Sequence, residues 1–185
     1  MPKDNSTLWY RVCDGQYPFL WNTTSQPAAR WHDSATAPTQ YLADSPEGAW
    51  AEVLRHADIR ETEDVGDVER SVWAIALPAD LKLGTPNLSM AVMTGGLSSY
   101  PACQNEAARL RGESFDGLVA PSAALQPGGA FGYTSGTTLL MDEASRHDGQ
   151  VIALFGHWPS LTGWRCVQRG SAHPSLLSRL RPLTR

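Results

Sequence analysis

Hydrophobic and polar positions alternate along this chain in short runs, and the runs predict short strands interleaved with a few helices. Residues 8–13 (LWYRVC), 39–43 (TQYLA), 70–77 (RSVWAIAL), 116–120 (DGLVA), 150–155 (QVIALF) and 163–168 (GWRCVQ) are apolar, aromatic or β-branched runs of strand length. Asp44-Ser45-Pro46 opens a helix, with a capping side chain followed by proline at the first helical position, and it runs to about His56. Trp50, Val53, Leu54 and Ala57 give that helix an apolar stripe. At ~100° per residue, Glu52 falls about 125° from the centre of the stripe, at its edge or outside it, where it can point into a cleft. Residues 87–94 predict a short helix, 101–111 a longer one with Gly112 just past its end, and 174–181 a terminal helix. The stretch from Asp14 to Thr39 reads as irregular chain, ETEDVGDVE as an acidic linker, and LQPGGAFGYTSGTT as a loop. LLMDEAS is ambiguous. The order of elements describes a mixed α/β or α+β domain without repeats.

Length and composition narrow the class. The 185 residues suit a single domain spanning 1–185, and 42% hydrophobic residues suffice for a packed core. A net charge of −4, with no basic run beyond a thin arginine-rich tail, argues against direct nucleic-acid binding. The N-terminus shows no secretory signal and no run reaches membrane-spanning length, so a cytoplasmic protein is expected. Cys13, Cys103 and Cys166 form no metal pattern, and neither do the five histidines; no metal is expected.

Five polar residues from five segments stand out: Arg11, Arg30, Tyr41, Glu52 and Ser122. Ligand sites are commonly assembled this way, from side chains offered by several elements to one cleft. Two guanidiniums suit an anionic, phosphate-bearing ligand. A tyrosine supplies a flat face, and a carboxylate with a hydroxyl suits sugar hydroxyls and glycosidic chemistry. An acidic chain that binds an anion must concentrate positive potential locally, and Arg11 and Arg30 are the candidates.

The ordered set Arg11, Arg30-Trp31, Tyr41-Leu42-Ala43, Ala49-Trp50-Ala51-Glu52 and Pro121-Ser122, with the later HDGQVIALFG, resembles the RES domain family, named for its Arg, Glu and Ser. The similarity covers roughly residues 8–57 and 100–156. It implies an α+β fold with an ADP-ribosyltransferase-like split β-sheet flanked by helices, and a toxin-type enzyme acting on NAD. Members cleave the nicotinamide–ribose bond by phosphorolysis or hydrolysis, or transfer ADP-ribose to a protein. Their inhibitor is a separate Xre-type helix-turn-helix antitoxin; a homo-oligomer is compatible with this picture. Arg11, Glu52 and Ser122 would be catalytic, and Arg11, Arg30, Tyr41, Glu52 and Ser122 would hold NAD, with the arginines on the diphosphate, Tyr41 and Ser122 at the nicotinamide end and Glu52 on the ribose. Two departures stand against the family pattern. Ala28-Ala29 replaces a Gly-Gly pair that would let backbone approach a phosphate closely, and His32 follows Trp31 where asparagine is usual. An apparent insertion near 125–147 is expected either to form a lid over the cleft or to occlude it.

Each residue also has an ordinary reading. Arg11 fits an exposed strand arginine paired with an acid, Arg30 a surface arginine stacked on Trp31, and Tyr41 a half-buried strand tyrosine. Glu52 has Arg55 at i+3 and His56 at i+4 as helix-surface partners. Ser122 lacks a GxSxG context and fits a strand-end turn. His32 and His56 carry no specific signal for acid–base work, and Trp31, Trp50 and Trp73 are expected in the core. The alternative to an enzyme is a catalytically weakened RES-fold module for ligand binding or interaction.

Overall fold

The alternating runs form the strands expected of them. A computed structural model describes residues 7–21, 26–36, 38–135, 141–144 and 146–184. Strands β1 (Thr7–Cys13), β2 (Thr39–Ala43) and β3 (Arg70–Leu77) precede the two-residue β4 (Leu83–Gly84). β5 (Gly117–Pro121), β6 (Tyr133–Ser135), β7 (Met141–Glu143), β8 (Gln150–Phe155) and β9 (Thr162–Gly170) follow. Seven of these make one mixed sheet in the order β4-β5-β8-β2-β1-β3-β9, antiparallel except where β4 runs parallel to β5. β6 and β7 pair separately.

Helix α1 (Pro46–His56) begins where its capping signal lies: Ser45 Oγ accepts a hydrogen bond from the Gly48 amide at 3.1 Å. Asp44, just before it, ties this start to β8 by exchanging bonds with Gln150, whose amide donates to Asp44 Oδ2 at 2.9 Å. The acidic linker is not wholly irregular. Thr62–Val65 form a single-turn helix α2, because Val65 is fully buried and pins the turn to the core. Helix α3 (Met90–Thr94) and a 3-10 turn at Leu97–Ser99 lead into α4 (Tyr100–Gly112).

Two helix ends differ from expectation. α4 runs through Gly112, and Ser114 rather than the glycine takes the left-handed conformation, at φ 60°. The terminal helix is a 3-10 helix, Pro174–Arg179, held by bonds such as Leu176 N–H to the His173 carbonyl.

Three apolar clusters surround the sheet. Trp50, Ala51 and Leu54 of α1 meet Val65, Val72, Leu125 and Leu176. Trp31, Cys103 and Leu110 meet Leu118 and Ala153 on the same side of the sheet, while Leu42, Ile75, Ile152 and Leu154 form the core on the other. Trp31 and Trp50 are core residues as expected, whereas Trp73 is half-buried against Phe19. The cysteines are free; Cys103 is buried and Cys166 exposed. Of the expected insertion, residues 136–140 and 145 lie outside the described residues. Its described part is anchored rather than loose: Leu125 bridges to Leu180 and Ala130 to His147.

Gly117 sets the spacing between β5 and β8. A Cβ there would lie 2.6 Å from the Ala153 carbonyl oxygen and 3.1 Å from Leu154 Cα, both backbone atoms that cannot turn away. Gly117→Ala is therefore expected to destabilise the fold by about 1–3 kcal/mol, read as a lower urea midpoint with unchanged slope.

Candidate active site

β1 and β2 are paired at one position, Tyr10 with Ala43. Beyond it the strands part, and the residues flanking the parting, Arg11, Val12, Tyr41 and Leu42, line a cavity of about 460 Å³. α1 roofs it. Ala49, Glu52, Val53 and His56, spaced i, i+3, i+4, i+7, all line the cavity, and Ala57 continues the row. The opposite face, with Trp50, Ala51, Leu54 and Arg55, is buried. The apolar stripe read from sequence thus divides in two: Trp50 and Leu54 enter the core, while Val53 and Ala57 wall the cavity.

A smaller lobe of about 170 Å³ adjoins the first, lined by Ala29, Arg30, Trp31, Arg55, Tyr100, Pro121 and Ala123. Tyr41, Glu52, His56 and Val151 line both and so form the boundary between them. Among the described residues, none from 125–147 lines either lobe, so the described part of that segment is neither lid nor plug.

Glu52 is held from two sides. Its Oε1 accepts from Ser122 Oγ at 3.3 Å, and its Oε2 lies 3.7 Å from His56 Nε2. Ser122 is buried, and its Oγ accepts from the amides of Ala124 and Leu125 at 3.2 and 3.3 Å. With its lone pairs so engaged, its hydrogen points to the carboxylate. Ser122 lines neither lobe; it orients Glu52 from behind.

Tyr41 is fixed through its hydroxyl. That oxygen accepts from the Trp31 amide at 3.0 Å and lies 3.0 Å from His32 Nδ1. His32 Nε2 is 2.8 Å from the Pro27 carbonyl, which can only accept, so Nε2 carries the proton and Nδ1 accepts from Tyr41. Burial raises the tyrosine's pKa, and the phenol stays protonated. The same motif explains the buried stretch inside the supposedly irregular chain. Ala29 and His32 close a tight turn, and Gln104 of α4 donates to both of their carbonyls at 2.9 and 3.2 Å.

The arginines differ in how they are engaged. Arg11 stands at the parting, where its guanidinium donates to Gln40 and burial lowers its pKa. It is not an exposed strand arginine. Arg30 is buried, not a surface residue on Trp31. It lies over the Tyr100 ring, 4.8 Å from its centre, and donates to the Gly95 carbonyl at 2.6 Å, Ser99 Oγ at 2.9 Å and the Val92 carbonyl at 3.4 Å. Ala28 and Ala29 have no positive φ, so the missing glycines cost no backbone strain. Ala29 is part of the smaller lobe's wall.

Arg55 was assigned from sequence to the helix surface beside Glu52. It is buried, donating through Nε to the Arg181 carbonyl at 3.0 Å and through its terminal nitrogen to the Gly95 carbonyl at 3.4 Å. Its place in the buried i, i+1, i+4, i+5 row with Trp50, Ala51 and Leu54 was the signal available in the sequence. Tyr100 and Arg70, which also line the lobes, gave no such signal.

Four of the five residues singled out from sequence therefore line the two lobes, and the fifth, Ser122, touches Glu52 behind them. Among the described residues, no cluster of three or more His, Cys, Asp or Glu is placed to hold a metal, and no helix is long and apolar enough to cross a membrane.

Fold and site together define a mixed α/β protein whose cleft opens where its sheet parts, with a carboxylate at the boundary of two lobes and arginines in each. Residues 8–159, most of the chain, match the family model of the RES domain, and the chain belongs to that family, one associated with NAD-acting enzymes. No curated protein matches the chain.

Burial lowers the pKa of His32. The folded protein keeps the ring neutral, while the unfolded chain takes up a proton below its ordinary value of 6.5. The unfolded state then binds more protons, so this group's contribution to stability is full above that pH and is lost as pH falls below it, by up to about 1.4 kcal/mol per pH unit. The raised pKa of Asp44, also from burial, acts in the opposite sense and is common to wild type and variant. Urea unfolding at pH 7.5 and 5.5 is expected to show a smaller loss of stability in His32→Gln than in wild type.

Proposed function

We infer that this protein cleaves the nicotinamide–ribose bond of NAD, with Glu52 as the residue the reaction depends on. The observation that carries the reading is the position of Glu52. Its carboxylate sits on the boundary between a larger lobe with Arg11 and Arg70 and a smaller, aromatic-lined lobe. A dinucleotide divides in the same way, into a phosphate-bearing part and a flat nicotinamide joined through a ribose. The larger lobe suits the diphosphate, with Arg11 as its fixed positive charge. The smaller suits the ring, with Tyr41 at its wall.

Breaking this bond builds positive charge on the ribose ring carbon. A carboxylate held beside it stabilises an oxocarbenium-like transition state more than it stabilises the ground state. Ser122 donates to one oxygen of that carboxylate and His56 lies 3.7 Å from the other, so the group is positioned before charge develops. The ribosyl cation is then taken by water, by phosphate or by a protein side chain. Such an activity fits a toxin in a two-protein system whose partner is a separate helix-turn-helix antitoxin.

An apolar sheet face beside the cleft supports a protein partner. Register places Leu8, Ala76 and Thr162 in one row, Tyr10, Ala74 and Trp164 in the next, and Val12, Val72 and Val167 in a third. Leu8, Trp164 and Val167 are exposed, and Tyr10 and Val12 continue into the larger lobe. A binding module without catalysis draws no support from Ala28-Ala29, which are unstrained, nor from the described part of 125–147, which leaves both lobes open.

Purified protein incubated with NAD, with and without phosphate, is expected to release nicotinamide. Glu52→Gln should lower kcat by about 10²–10³-fold and Ser122→Ala by about tenfold, since the serine acts only through the carboxylate. ADP-ribose as product marks hydrolysis, its 1″-phosphate marks phosphorolysis, and label on a protein marks transfer. Folded wild-type protein that releases no nicotinamide under any of these conditions overturns the reading.

A further inference from the structure

The smaller lobe has a composition that the proposed reaction does not by itself require. It is small, about 170 Å³, which excludes a dinucleotide but admits one ring. Its walls are largely apolar or aromatic: Ala29, Trp31, Tyr41, Tyr100, Pro121, Ala123 and Val151 line it. Yet two buried guanidiniums, Arg30 and Arg55, border the same space. Arg55 lies near enough to feel the charges of Glu52, Arg30 and Arg181, the first of opposite sign and the other two of its own. Among the described residues, the one carboxylate lining the lobe is Glu52, at its boundary with the larger cavity.

These arginines are not built as an anion clamp. Arg30 directs its terminal nitrogens to Gly95, Ser99 and Val92, and Arg55 directs Nε and a terminal nitrogen to the carbonyls of Arg181 and Gly95. Phosphate recognition uses the guanidinium fork bidentately, and here the forks are turned to backbone. What remains toward the lobe is a net positive charge, two guanidiniums against the one carboxylate of Glu52, in a largely apolar setting where it is weakly screened.

We propose that the smaller lobe is a pocket for a neutral, planar aromatic carboxamide, and that Arg55 with Arg30 makes it discriminate against the cationic form of the same ring. The inference rests on the NAD-cleaving reading of the site and adds a role to Arg55, which lies outside the sequence-predicted set. In NAD the ring is a pyridinium. When its bond to the ribose carbon breaks, the bonding electron pair stays on the ring nitrogen, the ring becomes neutral and the positive charge passes to the ribose. A lobe that repels the cation and accepts the neutral ring favours this direction. Glu52, on the ribose side of the boundary, receives the displaced positive charge. Arg55 is then a specificity-determining residue, acting through its charge on the leaving group.

Ligand binding tests this apart from turnover. Nicotinamide, benzamide and 1-methylnicotinamide share size and carboxamide, and the last alone carries the positive charge. Titration of the wild-type protein, followed by ligand-observed NMR, is expected to show both neutral amides binding and the cation binding at least about tenfold more weakly. Arg55→Lys, which keeps the charge, should preserve the gap, and Arg55→Gln should narrow it. If Arg55→Gln does not fold, the wild-type comparison and the lysine variant decide alone. Equal binding of cation and neutral amides, or no binding of any of the three, overturns the proposal. Nicotinamide release from NAD by the same preparation is scored separately. Cleavage without discrimination sinks this inference and leaves the enzyme; selective binding without cleavage sinks the enzyme and leaves the pocket.

Discussion

Seven strands are joined across their middle by one paired position, Tyr10 with Ala43. On one side lie β4, β5, β8 and β2, and on the other β1, β3 and β9, each set paired along its length. A seam this short leaves backbone groups of two central strands without the ladder they would make in a continuous sheet. The fold answers in two ways. Side chains enter the opening, with Arg11 of β1 reaching Gln40 of β2, whose amide donates to the Leu20 carbonyl at 3.0 Å. Helix α1 spans the seam from above and turns a full row of residues toward it. The cleft is therefore a property of strand pairing first and of side chains second.

Much of this was legible in the sequence, because it depends on local rules. β2, β3 and β8 fall on the predicted residues, since each is an uninterrupted strand-length run. The α1 boundary follows from Ser45 and Pro46, whose effects are confined to one turn. α2 and β4 were not legible: four and two residues are too few to carry a period, and tertiary contacts such as those of buried Val65 decide them. The same division holds for the site. Glu52 and Tyr41 were readable as members of an ordered set of short motifs, although each alone also fits an ordinary helix-surface or strand position. Tyr100 was not singled out, because its meaning comes from what the chain brings to it from far away.

Polar burial gives the site its rigidity. Trp31, His32 and Tyr41 form a closed set of donors and acceptors in which one tautomer satisfies every member. Ser122 is fixed by two backbone amides before it meets Glu52. In each case a functional side chain is held by a group whose own partners are already settled, the condition for a pre-organised site. The stretch from Gln26 to Thr36 has little regular structure yet contains three buried residues in a row, Arg30, Trp31 and His32. Gln26 ties its beginning to β2 by bonding both the amide and the carbonyl of Thr39 at 2.8 Å.

Arg55 receives one of its two acceptors from Arg181, 126 positions later in the chain. Close by, the Thr184 carbonyl accepts from the Leu97 amide at 2.9 Å and lies over Gly96, where a Cβ would come within 2.1 Å of it. Both contacts are made by residues beyond the segment that matches the family model, which ends at 159. The residues that line the smaller lobe end at Val151, yet the guanidinium at its border is braced by a segment that follows β9, so a substitution near Arg181 can reach the lobe without touching its walls.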